Sequence, residues 1–199
     1  MIGLLKNLFF QKGGILMHDV IVETPRLLLR RWRPEDLAPF ARMNADPVVM
    51  EYFVSPYTEE RTQAFFQKIQ EEFAEYGYGL YAAQEKASNL FMGFIGFHWA
   101  RLDADFCPCV EIGWRLDHPF WGKGYATEGS KACLDYGFRE LALPKVCSYT
   151  THRNLRSQRV MEKIGLKRGM EFLDTSIPED HPHNPLIYYH LSREEYLSR

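Results

Sequence analysis

Apolar residues in the first part of the chain recur at spacings that predict one strand followed by two helices. Residues 26–32 read Arg-Leu-Leu-Leu-Arg-Arg-Trp, a strand-like run that Thr24-Pro25 introduces. Pro34 and two acidic residues then open a helix, since proline and acids favour the first helical turn. Thr58 is placed to cap a second helix, along which apolar residues recur at Phe65, Ile69 and Phe73.

The middle of the chain changes from strand spacing to helix spacing and back. Three strand-like segments, joined by a turn and a loop, predict an antiparallel meander over residues 80–84, 91–99 and 109–116. A helix over residues 126–141 and a strand over 145–151 follow. Because a strand, a long helix and a second strand form a crossover connection, the strands on either side of this helix should lie parallel.

The remaining segments complete the sheet. A helix over residues 154–164 ends at Gly165, and two further strands are expected at residues 167–174 and 185–191. The pattern as a whole predicts an α+β fold. Its central sheet is mixed and mostly antiparallel, is flanked by helices, and contains one parallel strand-helix-strand crossover.

Composition favours one domain over most of the chain. A chain of 199 residues with 46% hydrophobic and 15% aromatic content can bury a substantial core. We assign residues 17–199 to a single domain and residues 1–16 to an N-terminal extension. Because Lys12-Gly13-Gly14 can be encoded by a purine tract shortly before the codon of Met17, this extension is either a start-site artefact or a short amphipathic helix.

The charge balance argues against two classes of partner. The chain has 24 basic and 26 acidic residues, a net charge of -2, and neither sign forms a long run. Binding to nucleic acid or to an anionic membrane surface is therefore not expected. No stretch reaches the roughly 18 apolar residues of a membrane span.

The cysteines and histidines do not predict a metal site. Cys107-Pro-Cys109 has no second pair to complete four zinc ligands. Cys133 and Cys147 fall in a predicted helix and a predicted strand, where buried free thiols are common, so we expect a reducing, cytoplasmic compartment. The segment His181-Pro-His183 is interpreted as a surface turn, and no metal is predicted.

A glycine-containing loop at residues 121–127 is the first candidate for a binding site. It joins a strand to the start of a helix, where unpaired backbone N–H groups and the helix dipole attract an anion. A tight connection without a ligand would use the same glycines. The spacing matches neither the nucleotide P-loop nor the dinucleotide fingerprint, which needs a third small residue where Thr127 stands.

Together with this loop, two flanking motifs resemble the GNAT acetyltransferases, in particular the RimJ/RimL-like branch of ribosomal-protein alanine N-acetyltransferases. The three motifs are Glu111-Ile-Gly-Trp-Arg-Leu, Pro119-Phe-Trp-Gly-Lys-Gly-Tyr-Ala-Thr-Glu128 and Asn154-Leu-Arg-Ser-Gln-Arg-Val-Met-Glu-Lys-Ile-Gly165. The resemblance extends from about residue 24 to residue 196. It implies the GNAT fold and acetyl-CoA as acyl donor.

The resemblance also implies which residues bind the donor. Backbone groups of three residues would pair with the pantetheine arm: Trp114, Arg115 and Leu116. The pyrophosphate would be wrapped by a run of six: Gly122, Lys123, Gly124, Tyr125, Ala126 and Thr127. In the family the side chain of Asn154 bonds the pantetheine, although an asparagine at a helix start is also a preferred N-cap. The family usually has Gln or Arg where this chain has Trp121.

Two residues are candidates for the chemical step. Attack on a thioester requires a neutral amine, and Glu111 resembles the base or water-positioning residue of related enzymes. It could instead brace the sheet through a salt bridge. Ser157 matches a serine near the thioester sulfur, where its hydroxyl would stabilise the departing thiolate. Met161 stands where many family members have a tyrosine acid, so that role does not carry over.

We therefore expect transfer of an acetyl group from acetyl-CoA to a primary amine. The expected acceptor is a protein N-terminal α-amino group, and a small amine comes second. The contrasting hypothesis is a noncatalytic module that senses acyl-CoA or binds a partner protein. The sequence leaves open whether the protein is a monomer or a homodimer.

Overall fold

The computed structural model describes residues 19–199, which form an eight-stranded sheet with helices on both faces. The expectations for residues 1–16 and for Met17 lie outside this range. The strands are β1 Val20–Glu23, β2 Leu27–Arg30, β3 Leu80–Glu85, β4 Phe91–Ala100, β5 Cys109–Leu116, β6 Lys145–Thr151, β7 Lys167–Phe172 and β8 Leu186–Ser192. The helices are α1 Leu37–Ala45, α2 Glu59–Tyr76, α3 Tyr125–Arg139, α4 Leu155–Lys163 and α5 Arg193–Leu197.

The sheet has the strand order β1-β2-β3-β4-β5-β6-β8-β7, and only the pair β5–β6 is parallel. The predicted α+β class, with its mostly antiparallel sheet and one parallel crossover through α3, is confirmed. Two short elements were not predicted: the edge strand β1 and the C-terminal helix α5. Within residues 19–199, no helix combines the length and apolar content of a membrane span.

Alternating side chains of β4 show how the sheet separates its two helical layers. Phe94 packs against Phe40 of α1, and His98 bonds Glu72 of α2. On the opposite face, a Cβ atom added at Gly129 or Gly137 of α3 would overlap side chains of β4. Because glycine has no Cβ atom, α3 packs closely on the sheet, and this contact fixes where its N-terminus lies.

Strand β2 ends at Arg30, two residues earlier than expected, because the chain turns there around a buried ion pair. The Arg30 guanidinium donates to both Asp36 carboxylate oxygens, at 2.7 and 2.8 Å, and its Nε donates to Gln84 at 2.6 Å. The Arg30 and Asp36 side chains are only 4% and 3% exposed. Such a pair is stable only while both partners are present.

A disulfide links Cys109 at the start of β5 to Cys147 on β6. The expectation that Cys147 is a free thiol is therefore wrong, and one of the two observations that favoured a reducing compartment is lost. The pairing of a strand with a neighbouring strand could not be read from the spacing of the cysteines. Cys133 is a buried free thiol, as expected.

Replacing Asp36 by Ala should lower the free energy of unfolding by about 3–5 kcal/mol, because it leaves the Arg30 charge buried without an anion. Urea unfolding measures the loss. Asp135→Ala is the matched control, since Asp135 pairs with Arg139 where both side chains are more than half exposed, and it should cost less than about 1 kcal/mol. Equal losses in the two variants would contradict the assignment.

Candidate functional site

Strands β5 and β6 part from each other and leave an open edge in the middle of the sheet. Their only paired residues are Glu111 and Cys147, whereas β5 stays paired with β4 along its whole length. Beyond that point, Ser148 Oγ donates to the Ile112 carbonyl at 2.8 Å instead of continuing the ladder. Backbone groups further along β5 therefore face a gap that an extended polar chain can fill.

The three residues predicted along this edge do not offer the same groups. The Leu116 carbonyl already accepts a hydrogen bond from the Trp121 indole at 2.6 Å. Trp114 is half-buried, whereas the Arg115 side chain is buried under the segment between α1 and α2. Backbone groups of successive strand residues alternate in direction: the Ile112 and Leu116 carbonyls face away from β4, whereas the Arg115 carbonyl lies against Gly93 of β4. Of these three residues, Trp114 is therefore the one whose backbone groups face the open edge without a partner.

The loop at residues 122–127 ends in an uncapped helix. Gly122 and Gly124 have φ of +72° and +82°, a conformation that favours glycine. Gly124 is the N-cap of α3 and supplies no side-chain cap, so the first N–H groups of α3 have no capping partner. These N–H groups and the helix dipole make the start of α3 a site for an anion. Lys123, exposed in the same loop, adds a cation.

A contact with the N-terminal hairpin holds this loop in place. Glu128, in the first turn of α3, accepts from the Thr24 hydroxyl at 2.7 Å and from the Arg26 Nε at 2.6 Å. Arg26 also donates to the Lys123 carbonyl at 3.0 Å and stacks over the Tyr125 ring. Arg26 and Glu128 lie within the sequence motifs, but their pairing across the fold was not foreseen.

The first turn of α4 lies beside the loop. The Arg156 guanidinium stacks over the Trp121 ring at 4.5 Å and pairs with Glu51 of the α1–α2 segment at 2.5 Å. The Asn154 Oδ1 accepts from the Ser157 N–H at 3.1 Å, which is the N-cap geometry expected for this residue. Ser157 is half-buried in the same turn. The structure thus brings the glycine loop and both predicted α4 residues into one region.

The α1–α2 segment is held on β5 by a buried guanidinium in an aromatic cage. Arg115 lies 4.3 Å from the Phe53 ring centre and 5.1 Å from that of Tyr57, and it donates to Asn44 at 2.6 Å. Burial lowers the pKa of Arg115 from its ordinary value. The cage uses the electron-rich faces of the rings in place of a carboxylate. It positions this segment over the site.

Glu111 lies where β5 and β6 begin to part, and its environment differs from that of a surface acid. Loss of water around this half-buried carboxyl raises its pKa from 4.5 to about 7, although the charge of His98 and the Tyr149 hydroxyl act in the opposite direction. Burial in turn raises the pKa of Tyr149. A carboxyl with a pKa near neutrality can exchange protons at physiological pH.

Sequence reasoning missed the two groups next to Glu111. Glu72 of α2 is buried, and its carboxylate lies 2.8 Å from Nδ1 of His98, the residue opposite Glu111 on β4. The available signal was an acid between Ile69 and Phe73 on the apolar stripe of α2. The rings of His181 and His183 lie 4.9 Å apart, and among residues 19–199 no three or more His, Cys, Asp or Glu side chains are grouped so that they could hold a metal ion.

The sequence of this chain is similar to that of an acetyltransferase family and to curated bacterial proteins. Residues 26–167 match the acetyltransferase (GNAT) domain family. The chain is 30% identical to the N-acetyltransferase YnaD of Bacillus subtilis over 176 residues, covering 88% of this chain and 98% of YnaD. It is 33% identical to YkkB of the same organism over 144 residues, which cover 72% and 83% of the two chains.

A solved structure gives the same result. The crystal structure of an acetyltransferase (GNAT family) from Bacillus anthracis superposes with a TM-score of 0.71 at 30% identity. The superposition covers 87% of this chain and 99% of that one. Similarity of sequence and similarity of fold thus extend over most of both chains.

Replacing Glu111 by Gln should stabilise the protein at neutral pH but not at acid pH. Because the pKa of Glu111 is raised from 4.5 to about 7 in the folded chain, the folded state holds a proton that the unfolded state has lost between those values. The free energy of unfolding of the wild type therefore falls as the pH rises from 4.5 to about 7, whereas that of the variant does not change for this reason. Its gain should grow from near zero below the window to on the order of 3 kcal/mol above it.

Urea unfolding at a series of pH values measures this difference. Glu71→Gln, an exposed change at the position before Glu72, is the control and should give no such pH-dependent gain. A constant difference between E111Q and wild type at all pH values would show that Glu111 is not protonated preferentially in the folded state.

Proposed function

The chain belongs to the GNAT family and is an acetyl-CoA dependent N-acetyltransferase, and on that premise we propose that its acceptor is the α-amino group of a protein N-terminus. The observation that carries the proposal is the position of Glu111, whose carboxyl has a pKa of about 7 and lies at the point where β5 and β6 part. The family membership favours an enzyme over the noncatalytic module considered from the sequence.

In the proposed complex, the pantetheine arm lies along the open edge of β5. The backbone of Trp114 supplies the pairing groups, while the Leu116 carbonyl keeps its bond to Trp121 and the backbone of Arg115 stays directed to β4. The pyrophosphate lies in the loop from Gly122 to Thr127 at the uncapped start of α3, with Lys123 as an additional cation. The open edge, the two positive φ angles and the uncapped helix support this placement.

Acetyl-CoA supplies an activated acyl group, and the residues of this chain manage the protons. Glu111 takes a proton from the acceptor ammonium, so that the neutral nitrogen can attack the thioester carbonyl. Ser157 donates a hydrogen bond to the sulfur as the carbon–sulfur bond breaks. Such a donor suits a thiolate, which is already a good leaving group and needs stabilisation more than a full proton. Asn154 fixes the turn that carries this serine.

The acidity of Glu111 favours an α-amino group over a lysine side chain. The pKa of an α-amino group is near 8 and that of lysine near roughly 10. Proton transfer to a carboxyl with a pKa of about 7 is therefore uphill by about 1.4 kcal/mol for the first and about 4 kcal/mol for the second. The RimJ/RimL-like character of the motifs points to the same class of acceptor.

A small polyamine is the second candidate, and a specific group of side chains favours it. Tyr76 stacks on Trp99 with ring centres 5.6 Å apart, and Tyr78 lies close to both Tyr76 and the buried Glu72. Aromatic faces beside a carboxylate attract cations. A second amino group of a polyamine would fit such a surface.

Gly124→Asp should weaken coenzyme A binding by at least about 10-fold, because it adds a negative charge and a strained φ at the proposed pyrophosphate site. Calorimetry with coenzyme A measures the affinity. The matched control is Gly77→Asp, since Gly77 has φ of +78° at the end of α2 and open space around it. It imposes the same backbone strain away from the loop and should bind coenzyme A as the wild type does. Unchanged affinity in G124D would disprove the placement.

Glu111→Gln should lower kcat by roughly 10²–10⁴-fold with a peptide acceptor, while coenzyme A affinity stays near that of the wild type. In the wild type, kcat/KM should rise with pH as the carboxyl ionises, with a midpoint at about 7. The assay follows free thiol release with three acceptors: a peptide with a free N-terminus, the same peptide N-acetylated but containing lysine, and spermidine.

The acceptor panel separates the two candidate functions. A higher kcat/KM for the free N-terminus than for lysine or spermidine supports the proposal. A higher value for spermidine would replace it with polyamine acetylation. Full turnover by E111Q at saturating acceptor would remove Glu111 from the mechanism.

A further inference from the structure

Three titratable side chains from three different elements line up on one face of the sheet. His98 of β4 is directly opposite Glu111 of β5, so their side chains lie on the same face. On its other side, His98 Nδ1 lies 2.8 Å from a carboxylate oxygen of Glu72 on α2. The order across the face is Glu111, His98 and Glu72, from the opening between β5 and β6 to the covering helix.

Glu72 is a buried acid, and burial of its carboxylate costs free energy that an acid on the protein surface would not lose. Its side chain is 10% exposed and occupies a position between Ile69 and Phe73, both buried apolar residues of α2. A buried carboxylate needs a partner that compensates its lost hydration. The only hydrogen bond of its side chain among the described residues is the one to His98, whose side chain is 21% exposed.

We infer that Glu72 and His98 are positioning residues of the acetyl transfer, and that the proton taken up by Glu111 leaves through His98. This inference rests on the proposed role of Glu111 as base. With Nδ1 held by Glu72, Nε2 is the ring nitrogen that exchanges its proton: the imidazolium first gives the Nε2 proton to water, and the neutral ring then takes the proton from Glu111. Since His98 is partly exposed, it can then release that proton to water.

The proton balance of one turnover shows that Glu111 must lose the proton it has taken up. The acceptor ammonium gives one proton to Glu111, and its nitrogen forms a bond to the acetyl carbon. The carbon–sulfur bond breaks, its electron pair leaves with the thiolate, and the second proton of the nitrogen neutralises that thiolate. One proton therefore stays on Glu111 after each turnover, and it must leave before the next amine can be deprotonated.

The other groups around Glu111 are unsuited to this task. Tyr149 of β6 faces the carboxyl, but burial and the Glu111 charge raise its pKa. Two further groups also raise the pKa of Tyr149: Cys107 in the loop before β5, and Asp174 just after β7. Tyr78 lies near Glu72, and burial likewise raises its pKa. His98 is the group in this set with two ring nitrogens, so one can exchange a proton while the other stays bonded to Glu72.

The test compares His98→Gln and Glu72→Gln with the wild type, using pH profiles of kcat/KM for the peptide acceptor. Gln at position 98 keeps an amide that can donate to Glu72 but cannot carry a proton. H98Q should lower kcat about 10-fold and move the acid limb to higher pH, since the charge of His98 lowers the pKa of Glu111. Coenzyme A affinity, measured by calorimetry, should not change.

Variants of Glu72 separate positioning from folding. E72Q should lose activity as H98Q does, and Glu72→Asp should restore part of it because it keeps the carboxylate. Glu71→Gln, one position earlier on the exposed face of α2, should match the wild type. Urea unfolding of each variant shows whether a loss of activity follows a loss of the fold.

The outcomes distinguish this inference from the proposed function. If E111Q loses turnover but folded H98Q keeps the wild-type kcat and pH profile, the proton exit is wrong and the role of Glu111 stands. If E111Q keeps full turnover, the proposed mechanism fails first. Loss of activity in H98Q with an unmoved acid limb, or no recovery in E72D, would mean that the pair only supports the fold.

Discussion

The structure depends most on a pairing that is not made: β5 and β6 share one pair of residues and then separate. Strand hydrogen bonds would normally continue along both strands, so this separation leaves backbone donors and acceptors in the middle of a sheet. An extended amide-containing chain can supply the missing partners without displacing any side chain. The parting of the strands thus creates the open edge along which we place the pantetheine arm, and Glu111 lies at the end of this edge.

Side-chain contacts keep this opening and its surroundings in place. Ser148 bonds the Ile112 carbonyl at the point of separation, and the Cys109–Cys147 disulfide ties the two strands together on the closed side. Arg115, on the same face of β5 as Glu111, holds the α1–α2 segment through its aromatic cage. A single strand, β5, therefore supplies the open edge, the candidate base and the anchor of the covering segment.

Much of the fold could be predicted from sequence because local patterns specify it. Thr58 caps α2 and Asn154 caps α4 as their residue types favour, and the order of strand, helix and strand indicates the parallel crossover. The opening between β5 and β6 could not be predicted, since strand register is a tertiary property. Strand β1 has four residues at a sheet edge, too few for a clear alternation.

Some features of the candidate site could likewise be predicted from the sequence, and others could not. The glycine loop is recognisable because left-handed backbone conformations restrict the residue type, whereas the Arg26–Glu128 contact joins distant positions that no spacing connects. The Glu72–His98 pair is of the second kind, and its one local sign is a charged residue on an apolar stripe. Sequence thus indicates which backbone can bind, and only the fold shows which side chains surround the reaction.

The reach of Thr24 and Arg26 to Glu128 has a consequence for how the protein acquires its binding competence. Residues made near the beginning of synthesis hold a loop that is made much later, so the loop in which we place the pyrophosphate has these contacts only when both parts of the chain are present. We therefore expect the protein to bind the donor only after the N-terminal hairpin has docked on α3. Donor binding should in turn slow the opening of the first hairpin, at the far edge of the sheet, because the two are joined through one carboxylate.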